Sequence, residues 1–535
     1  MITTTQQQRF DAIVVGSGIG GLTVAALLAK LHGKRVLVLE QHFTAGGFTH
    51  TFERKGKFHW DVGLHYVGDM GEGCTGKAVM DYLTDGKLQW HKMPDPFEKF
   101  VYPDFTFEVY SDPVRFQADL IQRFPHEQTA IRRYFKDVPK AAFWFGMHSM
   151  LELFPRWLHP LLRRVAQSFG AIARQSTQRY LDRHFKDDHL KALLASQWGD
   201  YGLPPSQSCF GIHSVIVSHY FKGGWYPVGG AKAIAQSIIP VIERSGGAVL
   251  TQRRVTEILL ESGVAVGVKV QHAAKSQAEP ETYNAPIIVS DAGAFNTYLK
   301  LIPASYPLIE RQKIQAFPKS TSMLTVYLGL KESPQRLGFQ GENHWIYTVY
   351  DHDAIAQDLP SNHSPKFCYL SFPSLKDPLA QGHTAEIIAH VDYDFFSQWR
   401  DQPWRRRGSD YTALKAQLTQ SLIQLVENHY PGFQDLIEYA ELSTPLTVEH
   451  FGASDRGAIY GIPCVPERLN QSWIGSRTPI KNLYLTGADT FSLGIMGAMM
   501  GGVKTAGILN GAFGFFRIMA TIMREADLRG RSDKA

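Results

Sequence analysis

The run Gly16-Ser17-Gly18-Ile19-Gly20-Gly21 can cradle a diphosphate. Gly16, Gly18 and Gly21 fill the three glycine places of G-x-G-x-x-G. The first permits a tight turn, the second lets a pyrophosphate approach the backbone, and the third lets a helix pack closely on a strand. A helix opening there turns its free N–H groups and the positive end of its dipole toward the phosphates. Glu40 answers the glycines from the end of the next strand. A carboxylate at that place accepts both ribose hydroxyls and repels a 2′-phosphate. Two further pairs, His65-Tyr66 and His219-Tyr220, carry groups that can hold and release protons. Each pair is a candidate proton donor beside a bound cofactor. The plainer role for both is packing and hydrogen bonding around it.

These residues need elements to hold them. Residues 10–15 read as a short buried strand, 20–31 as an Ala/Leu-rich helix that ends at His32-Gly33, and 34–40 as a second strand. Strand, glycine turn, helix and strand within roughly 30 residues make a right-handed βαβ unit. Further on, 231–245 reads as a helix, followed by strands at 248–260, 264–271 and 285–290. Residues 324–329 and 385–391 read as strands of a second sheet, and 409–429 as a helix with Ser409 at its N-cap. A short strand at 483–486 enters Gly487-Ala488-Asp489, with a helix expected from about Gly497.

The cofactor question is FAD against NAD. Directly after Glu40 comes Gln41-His42-Phe43-Thr44-Ala45-Gly46-Gly47-Phe48. A second close-packed glycine pair there suits a chain running along an extended cofactor, as in flavoproteins. Asp489 is expected to hold the ribityl and phosphate region. The helix after it, beginning around Ile495-Met496-Gly497, would turn its N-terminus toward the flavin pyrimidine and stabilise charge on the reduced ring. FAD is therefore the expected cofactor. No second strand–glycine–helix fingerprint for a pyridine nucleotide occurs, so the electron donor or acceptor is expected to be external.

Bulk properties exclude other classes. The 535 residues suffice for two domains, and 44% hydrophobic with 20% charged residues is a globular balance. The net charge of +5 is not gathered in blocks, so no nucleic-acid partner is expected. Cys74, Cys209, Cys368 and Cys464 lie too far apart for a metal or redox motif, and a reduced cytoplasmic protein is expected. The 21 histidines form no metal-binding motif, His184 and His189 read as residues of a solvated helix face, and no metal is expected. The start of the chain is polar and lacks a basic-then-apolar pattern, so no cleaved secretory signal is expected.

Two stretches suit a membrane surface. Residues 143–169 mix Phe145, Met147, Phe154 and Trp157 with Arg156, Arg163 and Arg164, as an interfacial helix does, or as a substrate-domain helix packing inward does. Residues 507–523 are nearly long enough to span, but they read as the continuation of the flavin helix. Arg517 within them would cost about 2.5–3.5 kcal/mol in the bilayer. They are expected to lie on a surface or to pack on a partner.

The chain resembles the phytoene desaturase superfamily, and within it the retinol saturase and carotenoid isomerase branch. The resemblance is most specific over residues 10–68, ending in Trp60-Asp61-Val62-Gly63-Leu64-His65-Tyr66-Val67-Gly68. It continues at Tyr201-Gly202-Leu203-Pro204-Pro205, at His219-Tyr220, at Trp225-Tyr226-Pro227-Val228-Gly229-Gly230, and at Thr444-Pro445-Leu446-Thr447 with Gly457-Ala458-Ile459-Tyr460-Gly461. Leu485-Thr486-Gly487-Ala488-Asp489 through Gly502 completes it. Phe48 stands where many relatives carry a basic residue, which removes the basis for a charge contact there but not for FAD.

The resemblance implies an α/β fold. A discontinuous Rossmann-like FAD-binding domain is expected from residues 1–95, 225–295 and 456–510, and a mixed-sheet α+β substrate domain from 96–224 and 296–455. Residues 511–535 are expected to form a C-terminal helix and tail. Val255 would touch the adenine through its backbone. The implied activity is FAD-dependent redox chemistry on a carbon–carbon double bond of a lipophilic, conjugated polyene, retinoid- or carotenoid-like. Saturation is favoured over desaturation, because His65-Tyr66 follows the retinol saturase pattern. The alternatives are redox-neutral cis–trans isomerisation and a non-catalytic lipid-binding protein on the same fold. A peripheral membrane contact is a separate expectation, from the two stretches above.

Overall fold

The computed structural model describes residues 9–532 apart from 163, 165–169, 275–277 and 358–364. Ala12–Val15 and Val36–Leu39 are fully buried runs of aliphatic residues. Such runs form strands covered on both faces, which is how parallel sheets are built. They lie side by side in a five-stranded parallel sheet, ordered Leu483–Leu485, Ile288–Ser290, Ala12–Val15, Val36–Leu39, Ala248–Leu250. Three distant parts of the chain therefore share one sheet. Helix Ile19–His32 is buried from Ile19 to Ala29 and packs against helices Gly494–Leu509 and Lys232–Glu243. It stops at Gly33, in the left-handed region at φ +59°, whose N–H bonds back to Ala29. Gly16–Gly21, Glu40, Asp291 and Gly487 all follow the carboxyl ends of these strands, where open α/β sheets bind ligands.

A seven-stranded mixed sheet forms the second layer. Its order is Ile437–Ser443, Ser322–Leu330, His383–Val391, Phe367–Ser371, Asn343–Tyr347, Glu98–Val101, Thr106–Val109. Only Asn343–Tyr347 and Glu98–Val101 run parallel. Helix Gly408–His429 covers one face with Leu418, Leu422 and Val426. Helices Gln128–Ser149 and Phe210–His219 pack together with Phe97, Phe100 and Trp345 of the sheet in one core.

Four expectations are corrected. Residues 248–260 are two strands, not one: Ala248–Leu250 in the parallel sheet and Arg253–Glu261 in a three-stranded antiparallel sheet. Gln252 makes the break at φ +55°, and the redirected chain bonds Gln252 N–H to His42 O and Arg253 N–H to Glu40 O. Ser409 is not an N-cap; helix Gly408–His429 begins one residue earlier, and the Ser409 hydroxyl bonds Asp410 instead. The flavin-side helix begins at Gly494, not near Gly497. Nor does it continue through residues 507–523. It ends at Leu509, and a new helix Gly514–Ser532 follows a turn in which Phe513 takes φ +58°. Gly507 and Gly514 let the two helices meet, since a side chain at Gly514 would collide with Gly507 O. Among the described residues, no helix is long and apolar enough to cross a membrane.

Candidate functional site

The glycine loop is shaped by what lies against it. Gly16 takes φ +100°, which only glycine adopts freely. A Cβ on Gly18 would lie 2.5 Å from Asp291 Oδ2, and one on Gly20 would collide with Gly487 Cα. The first turn of helix Ile19–His32 carries no acidic residue. Glu40 accepts hydrogen bonds from Ser17 N (3.0 Å), Ser17 Oγ (2.7 Å) and His42 N (2.8 Å). Ser17 Oγ in turn accepts from Gly46 N (3.0 Å), and Gly47 packs on Gly18. The two glycine pairs and the acidic residue thus form one bonded unit. On the C-terminal side, Asp489 accepts from Ile462 N and Ala294 N, both at 2.7 Å.

Asp291 went unread in the sequence. It directly follows strand Ile288–Ser290, and its carboxyl group accepts the N–H groups of Gly21 and Gly18. Burial pushes it up to about 8, with Glu40 and Asp489 adding to the rise. At neutral pH it is therefore uncharged and does not repel a phosphate. Its position at the carboxyl edge of a buried strand was the available signal.

One cavity of about 1910 Å³ runs from this cradle into the molecule. Ligand sites for small molecules occupy roughly 300–1,000 Å³, so this cavity has room for an extended dinucleotide and a second molecule. Gly16, Ser17, Gly18, Ile19, Gly20, Glu40, Gln41, Gly46, Gly47, Phe48, Val255, Asp489, Ile495, Met496 and Gly497 all line it. Gly21 and Gly487 do not; they pack the loop against Gly16 O and Asp291. The hydroxyls of Thr486 and Ser492 are buried, line the same track and make no well-formed hydrogen bond within the protein. Buried polar atoms of that kind call for a partner, and a dinucleotide supplies polar groups along its whole length. The residues fit FAD.

The inner wall is made of side chains. His65, Tyr66, His219 and Tyr220 all face the cavity. His65 Nδ1 bonds Glu386 Oε2 at 2.9 Å, and Glu386 is 0% exposed. Tyr66 Oη bonds Asp200 Oδ2 at 2.6 Å and also Glu98 Oε1, while its ring stacks on Tyr220 at 4.2 Å. Glu98 also accepts from Trp345 Nε1 (3.0 Å) and Gln197 Nε2 (2.7 Å). Burial pushes Glu98 up to about 7 against the pull of these donors. Burial, then the charge of Glu98, holds Asp200 well above the carboxylate range. Lys376, bonded to His65 O (2.9 Å) and Ser371 Oγ (2.7 Å), is driven down to about 7 by burial. His219 differs from the rest. Its Nε2 accepts the Gly68 N–H at 2.8 Å, so that nitrogen is already engaged.

Glu98, Asp200, Glu386 and Lys376 were missed in the sequence. All lie between the recognisable motifs, and none sits in a short-range pattern. The weak signal was a carboxylate inside a strand with buried apolar residues, Glu98 in Glu98–Val101 and Glu386 in His383–Val391.

The family model described as flavin containing amine oxidoreductase matches residues 19–510. The chain is 36% identical to an all-trans-retinol 13,14-reductase from Danio rerio, over 93% of this chain and 86% of the relative. It is 27% identical to a chloroplastic prolycopene isomerase from an Oncidium hybrid cultivar, over 94% of this chain and 84% of the relative. Its fold is similar to that of an oxidoreductase from Methanosarcina mazei, with a TM-score of 0.58 at 16% identity over 95% of this chain and 99% of that one.

Proposed function

The chain belongs to the flavin containing amine oxidoreductase family, in the branch of retinol reductases and prolycopene isomerases, and from that premise we propose that it reduces a carbon–carbon double bond of a lipophilic, retinoid-like polyene. It is an FAD-dependent oxidoreductase. The observation that carries the proposal is the single cavity joining the dinucleotide cradle to an inner wall of buried acids, aromatic rings and apolar side chains such as Met323, Phe367 and Ile388.

FAD, when bound, supplies hydride to one alkene carbon. The residues do the rest. Gly16 to Gly20, Glu40, Gln41, Gly46, Gly47, Phe48, Val255, Asp489 and Ile495 to Gly497 hold the cofactor, and Gly21 and Gly487 shape the loop behind it. The wall that includes His65, Tyr66 and Tyr220 excludes water, orients the polyene and supplies the proton for the second carbon. His219 holds Gly68, and with it the segment carrying His65 and Tyr66. The flavin part of the chain comprises residues 1–95, 225–295 and 456–510, and the substrate part 96–224 and 296–455. The electron donor is external. The test is an anaerobic assay with all-trans-retinol or a carotene and chemically reduced FAD. Loss of polyene absorbance with a product two hydrogens heavier supports reduction. A product of unchanged mass favours the second reading, cis–trans isomerisation, which the 27% identical prolycopene isomerase supports. A substrate unchanged under every condition overturns both.

The protein works in the cytoplasm, bound peripherally to a membrane. Phe143, Trp157 and Leu161 are exposed on one stretch, Phe513 and Phe516 on the other. The rings of Phe154 and Phe516, 6.4 Å apart, bring the two stretches together. Residues 163 and 165–169 of the first stretch lie outside those described. Flotation with anionic vesicles tests this. Replacing Phe513 and Phe516 by Ser lowers the bound fraction several-fold, since each fully buried Phe contributes about 1.5–3 kcal/mol. Unchanged flotation overturns it.

A further inference from the structure

The reduction proposed above leaves its proton donor unassigned among the residues of the inner wall. Resting on that reading, we propose that Asp200 is this donor, hydrogen-bonded through the Tyr66 hydroxyl to Glu98, which stays an anion throughout.

The assignment begins with a count of hydrogens. Tyr66 Oη contacts Asp200 Oδ2 at 2.6 Å and lies within hydrogen-bond distance of Glu98 Oε1. A phenol has one hydrogen, and an ionised carboxylate only accepts. With both acids ionised, one of these two contacts would set lone pair against lone pair. One of the two carboxyls therefore carries a proton and donates it to the phenol oxygen.

The surroundings decide which one. Both oxygens of Glu98 already receive protein donors, Oε1 from Trp345 Nε1 at 3.0 Å and Oε2 from Gln197 Nε2 at 2.7 Å. Donors on both oxygens favour the charged form. The one side-chain bond described for Asp200 is that to Tyr66. The chain of bonds thus runs from Asp200 O–H to Tyr66, and from Tyr66 O–H to the Glu98 carboxylate. Burial holds both acids above their ordinary range.

Access points the same way. Asp200 and Tyr66 line the cavity, whereas Glu98 is 0% exposed and does not. Asp200 follows Gly199, where a Cβ would lie 2.8 Å from the Trp345 ring, so the backbone that carries the acid is pressed onto the wall. Tyr369 stands in the same wall, 4% exposed, and feels the charges of Asp200 and Glu98. Its hydroxyl makes no well-formed hydrogen bond within the protein, with Ser371 a loose partner, and an occupant of the cavity could complete it.

The step balances. The π bond of the alkene breaks. One carbon gains a hydride, and with it two electrons, from flavin in its reduced, hydroquinone form, which is thereby oxidised. The other carbon forms its C–H bond with the Asp200 proton, and Asp200 is left as a carboxylate. Two carboxylates then share a single phenolic hydrogen, and their repulsion draws a proton from solvent back to Asp200.

The test is infrared spectroscopy on the FAD-loaded protein, joined to steady-state kinetics. A protonated buried acid gives a C=O stretching band above the amide region that shifts in D2O. Asp200→Asn removes this band, Glu98→Gln leaves it, and flavin content and visible spectrum stay as in the parent. In the same Asp200→Asn protein kcat falls by about 10² or more, within the range of general acid catalysis, while KM changes little. A band that survives Asp200→Asn and is lost in Glu98→Gln overturns the assignment. So does a raised KM with kcat kept, which would make Asp200 an anchor for a substrate hydroxyl. Should Asp200→Asn fail to accumulate, Tyr66→Phe serves: removing the phenol moves the Asp200 band to higher frequency, and an unmoved band overturns the proposal. The two failures are told apart. Parent protein that turns over no polyene yet shows the Asp200 band sinks the reduction reading, and the donor role with it, while the protonation pattern of the two acids stands. Normal turnover by Asp200→Asn sinks this inference alone.

Discussion

The cradle at the edge of the parallel sheet and the acid wall beneath the mixed sheet belong to one cavity, yet they are made in opposite ways. The cradle is backbone: glycine loops, a helix N-terminus, and a Glu40 carboxylate that accepts main-chain N–H groups. The wall is side chains, and its partners lie 32, 134 and 321 residues apart in Tyr66–Glu98, Tyr66–Asp200 and His65–Glu386. A backbone site ties cofactor binding to local folding, because the same turns serve both. A side-chain site can lose a functional atom with its surroundings intact. The two regions are therefore expected to fail differently: cradle variants lose FAD, and wall variants keep FAD and lose turnover.

The largest effect is expected in the wall. Tyr66→Phe removes the hydroxyl between Asp200 and Glu98 and keeps the ring stacked on Tyr220. Turnover falls by about 10²-fold or more, as when a group in proton transfer is lost, while the protein stays yellow with unchanged FAD content. Anaerobic stopped-flow with a polyene measures the first, and absorbance after acid release the second. Loss of FAD from this variant would break the comparison, since the wall would then be part of the cradle. Glu386→Gln is expected to follow with a smaller loss, because His65 keeps a hydrogen-bonding partner of the same shape.

The next effect belongs to the cradle. A methyl on Gly20 meets Gly487 Cα, a backbone atom that cannot rotate away, and lies 2.7 Å from Asp291 Oδ1. Overpacking of this kind costs about 1–3 kcal/mol, so Gly20→Ala should weaken FAD binding roughly 5- to 150-fold. Turnover per bound flavin stays near that of the parent. Titration of the apoprotein with FAD, followed by flavin fluorescence, gives the first quantity. A variant with parental affinity but slow turnover would reverse the assignment of the two regions.

The same contrast explains what could be read without the structure. Gly16 to Gly21 with Glu40, and Gly487 with Asp489, signal themselves because turns, close approach and strand ends demand particular residue types at fixed short spacing. The helix stop at Gly33 was legible for the same reason. The break at Gln252 was not read, although the polar run Thr251-Gln252-Arg253-Arg254 interrupts the apolar pattern there; the bonds to Glu40 and His42 show where the chain changes sheets. The turn at Phe513 was not read either, although Asn510-Gly511 and Gly514 mark it, between two apolar halves that form separate helices. Glu98, Asp200 and Glu386 gave no signal as a group, because what brings them together is strand order in a sheet assembled from distant segments. His65 and Tyr66 were found by residue type and resemblance, but the acids that give them proton chemistry were not.

Asp291 sharpens the comparison, being a buried acid of the cradle whose charge state differs from its ordinary one. Burial places its acid at about 8, and its carboxyl sits against the N–H groups of Gly21 and Gly18, where the diphosphate is to lie. Below that value Asp291 is neutral in the free protein and in the complex, and FAD binding is independent of its titration. Above it the free protein has released the proton. The diphosphate adds negative charge beside the carboxyl and raises its proton affinity further, so the complex retains what the free protein has lost. Binding then takes up a proton, and affinity must fall as pH rises. The dissociation constant is expected to be flat from pH 6.5 to 7.5 and to rise by at most about tenfold between pH 8 and pH 9, the limit for one proton. In Asp291→Asn the amide is neutral throughout, so the slope disappears while affinity at pH 7 stays within a few-fold of the parent. FAD titrations of both proteins across this range decide it. A slope that persists in Asp291→Asn would assign the titration to another group. A large loss of affinity at pH 7 would mean that Asp291 shapes the glycine loop chiefly as an acceptor of its N–H groups, and the cradle would be a backbone site that hangs on one side chain.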